Sequence, residues 1–191
     1  MTIEVKSLAI SGPLIITPKR FGDARGFFSE TYSARDLAAH GLHPVFVQDN
    51  HSASAEPGTV RGLHFQRPPH AQTKLMRVAR GAVLDIALDI RTGSATYGRH
   101  VAVELTAANW RQLYIPAGFA HGFCTLEPDT EVIYKVTDFY APDSETGILW
   151  NDPTLGIAWP KFAGAQVSDR DTRLPPLART QSPFVIDSGG S

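Results

Sequence analysis

One cysteine in 191 residues, Cys124, leaves no partner for a disulfide within the chain and points to a reducing compartment. Long apolar runs are also missing, and nothing approaches the length of a membrane span. The opening MTIEVKSLAI carries Glu4 and Lys6 and lacks the basic-then-apolar order of a secretory signal, so a cytoplasmic location is expected. Neither sign of charge is in excess: 18 basic and 19 acidic residues give a net charge of −1. That balance offers no general attraction to nucleic acid or anionic membrane. A glycine-rich dinucleotide fingerprint and a phosphate loop are both absent, which argues against a nicotinamide cofactor or nucleoside triphosphate hydrolysis.

What is present suits one folded domain. Hydrophobic residues make up 42% and charged residues 19%, and the chain is long enough to bury a core without staples. The 16 glycines and 14 prolines are spread along it, which favours short strands and tight turns. Leu84, Ile86, Leu88 and Ile90 alternate with Asp85, Ala87 and Asp89; Val101, Val103 and Leu105 with Ala102 and Glu104; Val132, Tyr134 and Val136 with Ile133 and Lys135. Period two predicts strands with one buried face. One short helix is predicted after Ser33, a capping residue, with Asp36 in its first turn and Gly41 at its end. No helical pattern separates the strands from Val45 to Pro160, so the expected fold is all-β, an antiparallel barrel or double-sheet jelly roll. The domain is expected over 1–177. From Ala178 the apolar pattern fades, and 178–191 is read as a loosely held tail.

Four polar clusters fall where strands should end: Asp23–Glu30, Gln48–Ser52, Arg61–Pro69 and Pro116–Phe123. His64 alone reads as a core histidine. It is not alone: Arg61 precedes it by three residues and Lys74 follows by ten. At strand spacing Arg61 faces away from His64 unless Gly62 permits a bulge. A base beside cations suits proton abstraction next to a carbonyl, the cations stabilising an enolate oxygen. His121 ends a Pro-x-Gly-x-x-His string resembling the second cupin motif, where the histidine often binds metal. The first motif wants His-x-His and then a Glu, and here reads His64-Phe-Gln66, so a site of three histidines and a carboxylate is not evident; a two-histidine site with carboxylates stays open, and the metal-free reading is preferred. Tyr134 by itself reads as an ordinary strand aromatic. Tyr140 could be core or stack on a base. Asp171 by itself is a loop acid, though a carboxylate can fix the tautomer of a histidine. Arg25, Arg61 and Arg170 would suffice for a diphosphate.

Taken together, Phe21-Gly-Asp-x-Arg25-Gly-Phe-Phe-x-Glu30, Phe46-Val-Gln48-Asp-Asn50-His-Ser, Arg61-Gly-Leu-His64-Phe-Gln66, Gln72-x-Lys74-Leu, Asp89-Ile-Arg91, Ile115-Pro-x-Gly-Phe-Ala-His121-Gly-Phe, Tyr134-Lys-x-Thr137, Trp150-Asn-Asp-Pro and Ser168-x-x-Asp171 closely resemble the dTDP-4-dehydrorhamnose 3,5-epimerase family of the cupin superfamily. The resemblance runs from about residue 3 to Leu177. It implies a cupin-type jelly-roll barrel with few short helices. The implied reaction inverts C3 and C5 of dTDP-4-dehydro-6-deoxy-D-glucose, giving dTDP-4-dehydro-L-rhamnose for rhamnose or a related deoxysugar, without metal or cofactor. It implies His64 as base oriented by Asp171, Lys74 at the keto oxygen, Tyr134 as proton donor and His121 lining the sugar site. Arg25, Arg61 and Arg170 are placed near the diphosphate, Glu30, Gln48, Asp49, Asn50 and Glu145 on the nucleotide, and Tyr140 on thymine. It further implies a homodimer by strand exchange, so that Arg25 or Glu30 completes a neighbour's site. The rivals are a single-carbon epimerase acting on a similar sugar, a non-catalytic cupin that binds a nucleotide sugar, and, third, a metal-dependent cupin enzyme.

Overall fold

The alternating runs become strands in a computed structural model that describes residues 3–186. In chain order the strands are β1 (Ile3–Ser7), β2 (Leu14–Pro18), β3 (Phe21–Asp23), β4 (Gly26–Phe28), β5 (Gln48–Ser54), β6 (Thr59–Gln66), β7 (Lys74–Arg80), β8 (Ala82–Asp89), β9 (His100–Thr106), β10 (Gln112–Ile115), β11 (Phe119–Thr125), β12 (Thr130–Val136), β13 (Glu145–Gly147) and β14 (Gln166–Val167). One helix, α1 (Ala34–Ala38), lies between β4 and β5. It begins where the sequence predicts: the Ser33 hydroxyl accepts from the Asp36 amide at 3.3 Å. It stops at Gly41, whose φ of +76° is left-handed, while Leu42 N donates to Leu37 O at 3.0 Å.

The strands form the expected jelly-roll barrel. The first sheet runs β1-β2-β10-β7-β12-β5. The second runs β13-β6-β11-β8-β9, with β14 parallel to β6. A separate two-stranded arm, β3–β4, pairs with neither large sheet and exposes Phe27 and Phe28 to 53% and 67%, the Phe27 ring resting edge-on to Trp110 with centroids 5.0 Å apart. Between the sheets Met76, Val78 and Val132 meet Val83, Val103 and Phe123 in the main core.

Both outer faces are covered as well. Leu37 of α1 packs with Ile16, Leu75 and Tyr114 on the outside of the first sheet. Leu155, Trp159 and Leu177 pack on Leu63, Ile86 and Leu88 outside the second. This corrects the one-buried-face reading of β8. Its apolar set points outward beneath the C-terminal segment, and Asp85 and Asp89 point into the barrel with no solvent exposure. On β9 the expectation stands: Val101, Val103 and Leu105 are buried while Ala102 and Glu104 are exposed.

The tail expected from Ala178 is held as far as Ile186. Thr92 N donates to Phe184 O and Ile186 N to Thr92 O, each at 2.8 Å, and the Ser182 hydroxyl bonds Ile90 O. The Phe184 ring lies edge-on to Phe65 with centroids 6.1 Å apart. A backbone bridge plus one aromatic anchor holds this stretch without any periodic apolar pattern. The remainder of the expected tail, 187–191, lies outside the described residues. No helix among the described residues is long and apolar enough to cross a membrane.

Candidate active site

The site begins with an irregularity in β6. In its antiparallel pairing with β11, His64 stands opposite His121 and Arg61 opposite Phe123. Three steps on β6 therefore match two on β11, which is the bulge that Gly62 was required to permit. Gly62 has φ of +127°, and a Cβ there would lie 2.5 Å from Gly122 Cα and 2.8 Å from His121 O. Only glycine fits so close a strand approach. The extra residue turns Arg61 and His64 into the same cavity, which has a volume of about 720 Å³.

Asp171, in a one-turn 3₁₀ helix packed against β6, holds both the bulge and the histidine. Its Oδ1 is 2.7 Å from His64 Nε2, and its Oδ2 accepts from Gly62 N at 3.1 Å. Its own amide donates to the Ser168 hydroxyl at 3.1 Å. Burial, which leaves it 3% exposed, pushes the Asp171 carboxyl upward. The hydrogen bond and charge of His64, with the Gly62 and Ser168 contacts, outweigh that and hold it below the usual carboxylate range. An ionised carboxylate only accepts, so His64 Nε2 carries the shared proton, and Nδ1 has no protein partner among the described residues.

The facing wall comes from the first sheet. Lys74 and Met76 of β7 alternate into the cavity beside Tyr134 of β12, Lys74 lying opposite Val136 and Met76 opposite Tyr134. No ion-pair partner lies within reach of the Lys74 ammonium among the described residues. Burial pulls it down to about 8, against the opposing charges of Glu145 and Asp85, so it is charged at neutral pH. Burial and the Glu145 carboxylate raise the Tyr134 hydroxyl, Arg61 opposing, which keeps it protonated. His64 and Tyr134 thus stand on opposite sheets across one cavity.

Beside His64 lies a second histidine–carboxylate pair that the sequence reading missed. His121 Nε2 is 2.8 Å from Oδ1 of Asp85. The signal was strand parity: Asp85 shares its face with Val83 and Ala87, both of which point into the main core. Gln66, at the position where a cupin metal site wants histidine, is fully committed to backbone. Its amide donates to His70 O at 2.7 Å and Phe139 O at 3.1 Å and accepts from Ala141 N at 2.8 Å. Those bonds fix the loop that carries Tyr140. Among the described residues no group of three or more His, Cys, Asp or Glu side chains is gathered as a metal site would need.

At the mouth, Glu145 Oε2 accepts from the Tyr140 hydroxyl at 2.8 Å and from the Arg170 guanidinium. Gln48 donates to Asn50 at 2.8 Å and accepts from Tyr140 N at 3.1 Å. All five line the cavity. Three candidates do not. Asp49 alternates with Gln48 and Asn50 and so faces outward, where it pairs with Lys135 at 2.9 and 3.0 Å. Arg25, on the β3–β4 arm, pairs with the adjacent Asp23. Glu30, just past the arm, is exposed and lies outside the cavity of its own chain.

A family model described as dTDP-4-dehydrorhamnose 3,5-epimerase matches residues 7–179. The dTDP-4-dehydrorhamnose 3,5-epimerase of Salmonella typhimurium is 50% identical over 178 residues, covering 93% of this chain and 96% of the relative. The crystal structure of the Bacillus anthracis enzyme of that name, with TDP and PPi bound, superposes with a TM-score of 0.87 at 47% identity, covering 91% of this chain and 99% of that one. A dTDP-6-deoxy-D-glucose-3,5-epimerase from Legionella pneumophila, in complex with dTDP-4-keto-L-rhamnose, gives 0.88 at 42% identity, covering 94% and 95%.

The depressed Asp171 carboxyl makes a stability prediction. Its folded-state value lies below the ordinary 3.8, so its contribution is complete above that pH and is lost as pH falls through the folded value. Asp171→Asn should unfold more easily at neutral pH and show a flatter acid dependence between about pH 5 and pH 2. Urea unfolding of both proteins across that range checks this; an unchanged acid slope would mean the carboxylate is not held as described.

Proposed function

The chain belongs to the dTDP-4-dehydrorhamnose 3,5-epimerase family, and from that premise we propose how its residues divide the work of inverting two carbons. The protein is an isomerase of dTDP-rhamnose biosynthesis, converting dTDP-4-dehydro-6-deoxy-D-glucose to dTDP-4-dehydro-L-rhamnose. The C4 ketone acidifies the C–H bonds at C3 and C5, because the electron pair left behind delocalises onto oxygen. Inversion takes the proton from one face of the ring and returns one to the other.

His64 Nδ1 removes the proton, since Nε2 is committed to Asp171. The Lys74 ammonium faces the oxygen that gains charge, where a preplaced cation in a site shielded from water is worth most. Tyr134 protonates the carbon from the opposite wall and regains its proton from solvent, to which His64 gives up the one it removed. Proton loss and gain balance at each carbon, so the reaction is redox-neutral. The observation that carries this reading is the placement of His64 and Tyr134 on opposed sheets of one cavity.

Arg61 and Arg170 meet the diphosphate, and Tyr140 offers its exposed ring to thymine beside Gln48, Asn50 and Glu145. Arg170 exchanges Glu145 for phosphate oxygens when substrate binds. The enzyme acts in the cytoplasm as a homodimer, in which the β3–β4 arm crosses to a second copy and brings Arg25 and Glu30 to its cavity. Three features support the exchange: the arm pairs with neither sheet of its own barrel, it exposes Phe27 and Phe28, and Arg25 and Glu30 lie outside the cavity of their own chain.

In D₂O the protein should introduce deuterium at both C3 and C5 of dTDP-4-keto-6-deoxyglucose, followed by NMR. His64→Ala should slow this by roughly 10²–10⁴-fold and still bind dTDP. Exchange at one carbon only would make the enzyme a mono-epimerase, and substantial exchange by the variant would remove His64 as the base. The shared site makes a separate prediction. Mixing inactive His64→Ala with impaired Arg25→Ala should recover activity that neither has alone, because a mixed dimer holds one intact site. No recovery after subunit exchange would place both residues in one chain's site.

A further inference from the structure

Asp85 is unlike the other buried acid on its own strand. Asp89, four residues on, accepts from Arg91 Nε and N at 2.9 Å, from Arg91 Nη2 and the Ser94 hydroxyl at 2.7 Å, and from the Thr96 hydroxyl at 2.6 Å. Both of its oxygens are satisfied and Arg91 neutralises its charge, as a structural carboxylate in a core requires. Asp85 has no exposure, Phe123 and Val103 flank it in register, and among the described residues its one polar contact is His121. Its Oδ2 is buried without a partner. A carboxylate in that setting is costly to bury, and packing alone gives no reason to keep it.

The arrangement that Asp85 does make repeats the one at His64. The two histidines are direct partners across β6 and β11, and each gives Nε2 to a buried carboxylate. His121 Nδ1 has no protein partner among the described residues, and the residue lines the cavity. We propose that Asp85 is a positioning residue that locks His121 as a neutral, Nε2-protonated imidazole and so presents Nδ1 to the cavity as an acceptor for a sugar hydroxyl. Asp85 cannot donate when ionised, so the proton between the two groups belongs to Nε2. Burial pushes the His121 ring toward its neutral form; the adjacent Lys74 and His64 add to that, and the Asp85 charge and hydrogen bond oppose it. The cavity then holds three kinds of polar group: a base at His64, a cation at Lys74, and at His121 an acceptor that orients the ring through its hydroxyl. Without Asp85 the imidazole is free to take the other tautomer, which turns an N–H toward a hydroxyl that must donate.

The proposal rests on the cavity being the sugar site, and two measurements keep the two claims apart. In the wild-type protein, imidazole ¹⁵N shifts should show His121 protonated at Nε2 only through neutral pH. A proton on Nδ1, or an imidazolium, would overturn the proposal whether or not Asp85 variants fold. In Asp85→Asn, KM for the dTDP-4-keto sugar should rise by about tenfold, the effect of one lost buried hydrogen bond, with a smaller change in kcat and an unchanged Kd for dTDP. An unchanged KM in a variant that still binds dTDP would make Asp85 a core residue only. If that variant loses dTDP binding altogether, the wild-type ring shifts decide alone. Absence of deuterium exchange in the wild type would instead sink the epimerase reading and leave the tautomer result standing.

Discussion

The two oxygens of Asp171 carry the constraint on which the rest depends. One fixes the His64 ring and the other fixes the backbone of the bulge that turns His64 and Arg61 into the cavity. Orientation of the base and irregularity of the strand are therefore one interaction, separated by 107 residues in the chain. Removing one partner of such a buried pair typically costs about 3–5 kcal/mol. Asp171 reaches that point only because the C-terminal segment folds over the second sheet. Leu155, Trp159 and Leu177 packing on Leu63, Ile86 and Leu88 thus serves the site as well as the core. The outer apolar face of β8, which reads as the ordinary buried side of a strand, is the seat of the segment that orients the His64 ring.

The barrel supplies the other requirement, two opposed walls. A chain with net charge −1 gathers Lys74, Arg61 and Arg170 around one cavity, with Glu145 at its mouth. Water is partly excluded there, so a fixed ammonium acts on a developing enolate far more strongly than in solution. Lys74 is held near 8 by burial against two nearby carboxylates, which leaves it charged and, among the described residues, without an ion-pair partner. Arg170 is paired with Glu145 at the mouth.

Much of this was legible in the sequence. Period two located the strands, Ser33 and Gly41 bracketed the helix, and Gly62 was singled out as the residue that must bulge if Arg61 and His64 were to share a face. What stayed hidden has physical causes. Alternation shows that a strand has two different faces but not whether its polar face meets solvent or a barrel interior, so Asp85 passed as a surface acid. Parity also bears on Gln48, Asp49 and Asn50: three consecutive residues of a strand cannot all enter one cavity, and Asp49 is the one turned out. The stretch after Ala178 has no apolar period because a bridge to Thr92 and one ring, Phe184, hold it. The pairing of His64 with Asp171 could be reached only through resemblance, since nothing local links them.

The central claim is that Asp171 acts through His64. A double-mutant cycle with His64→Ala and Asp171→Asn, read as the rate of solvent deuterium entering the sugar, measures this directly. The account expects each single change to slow exchange strongly and the double variant to be no slower than His64→Ala alone. Fully additive losses would contradict it, because they would mean that Asp171 contributes to proton transfer by a route that does not pass through the imidazole.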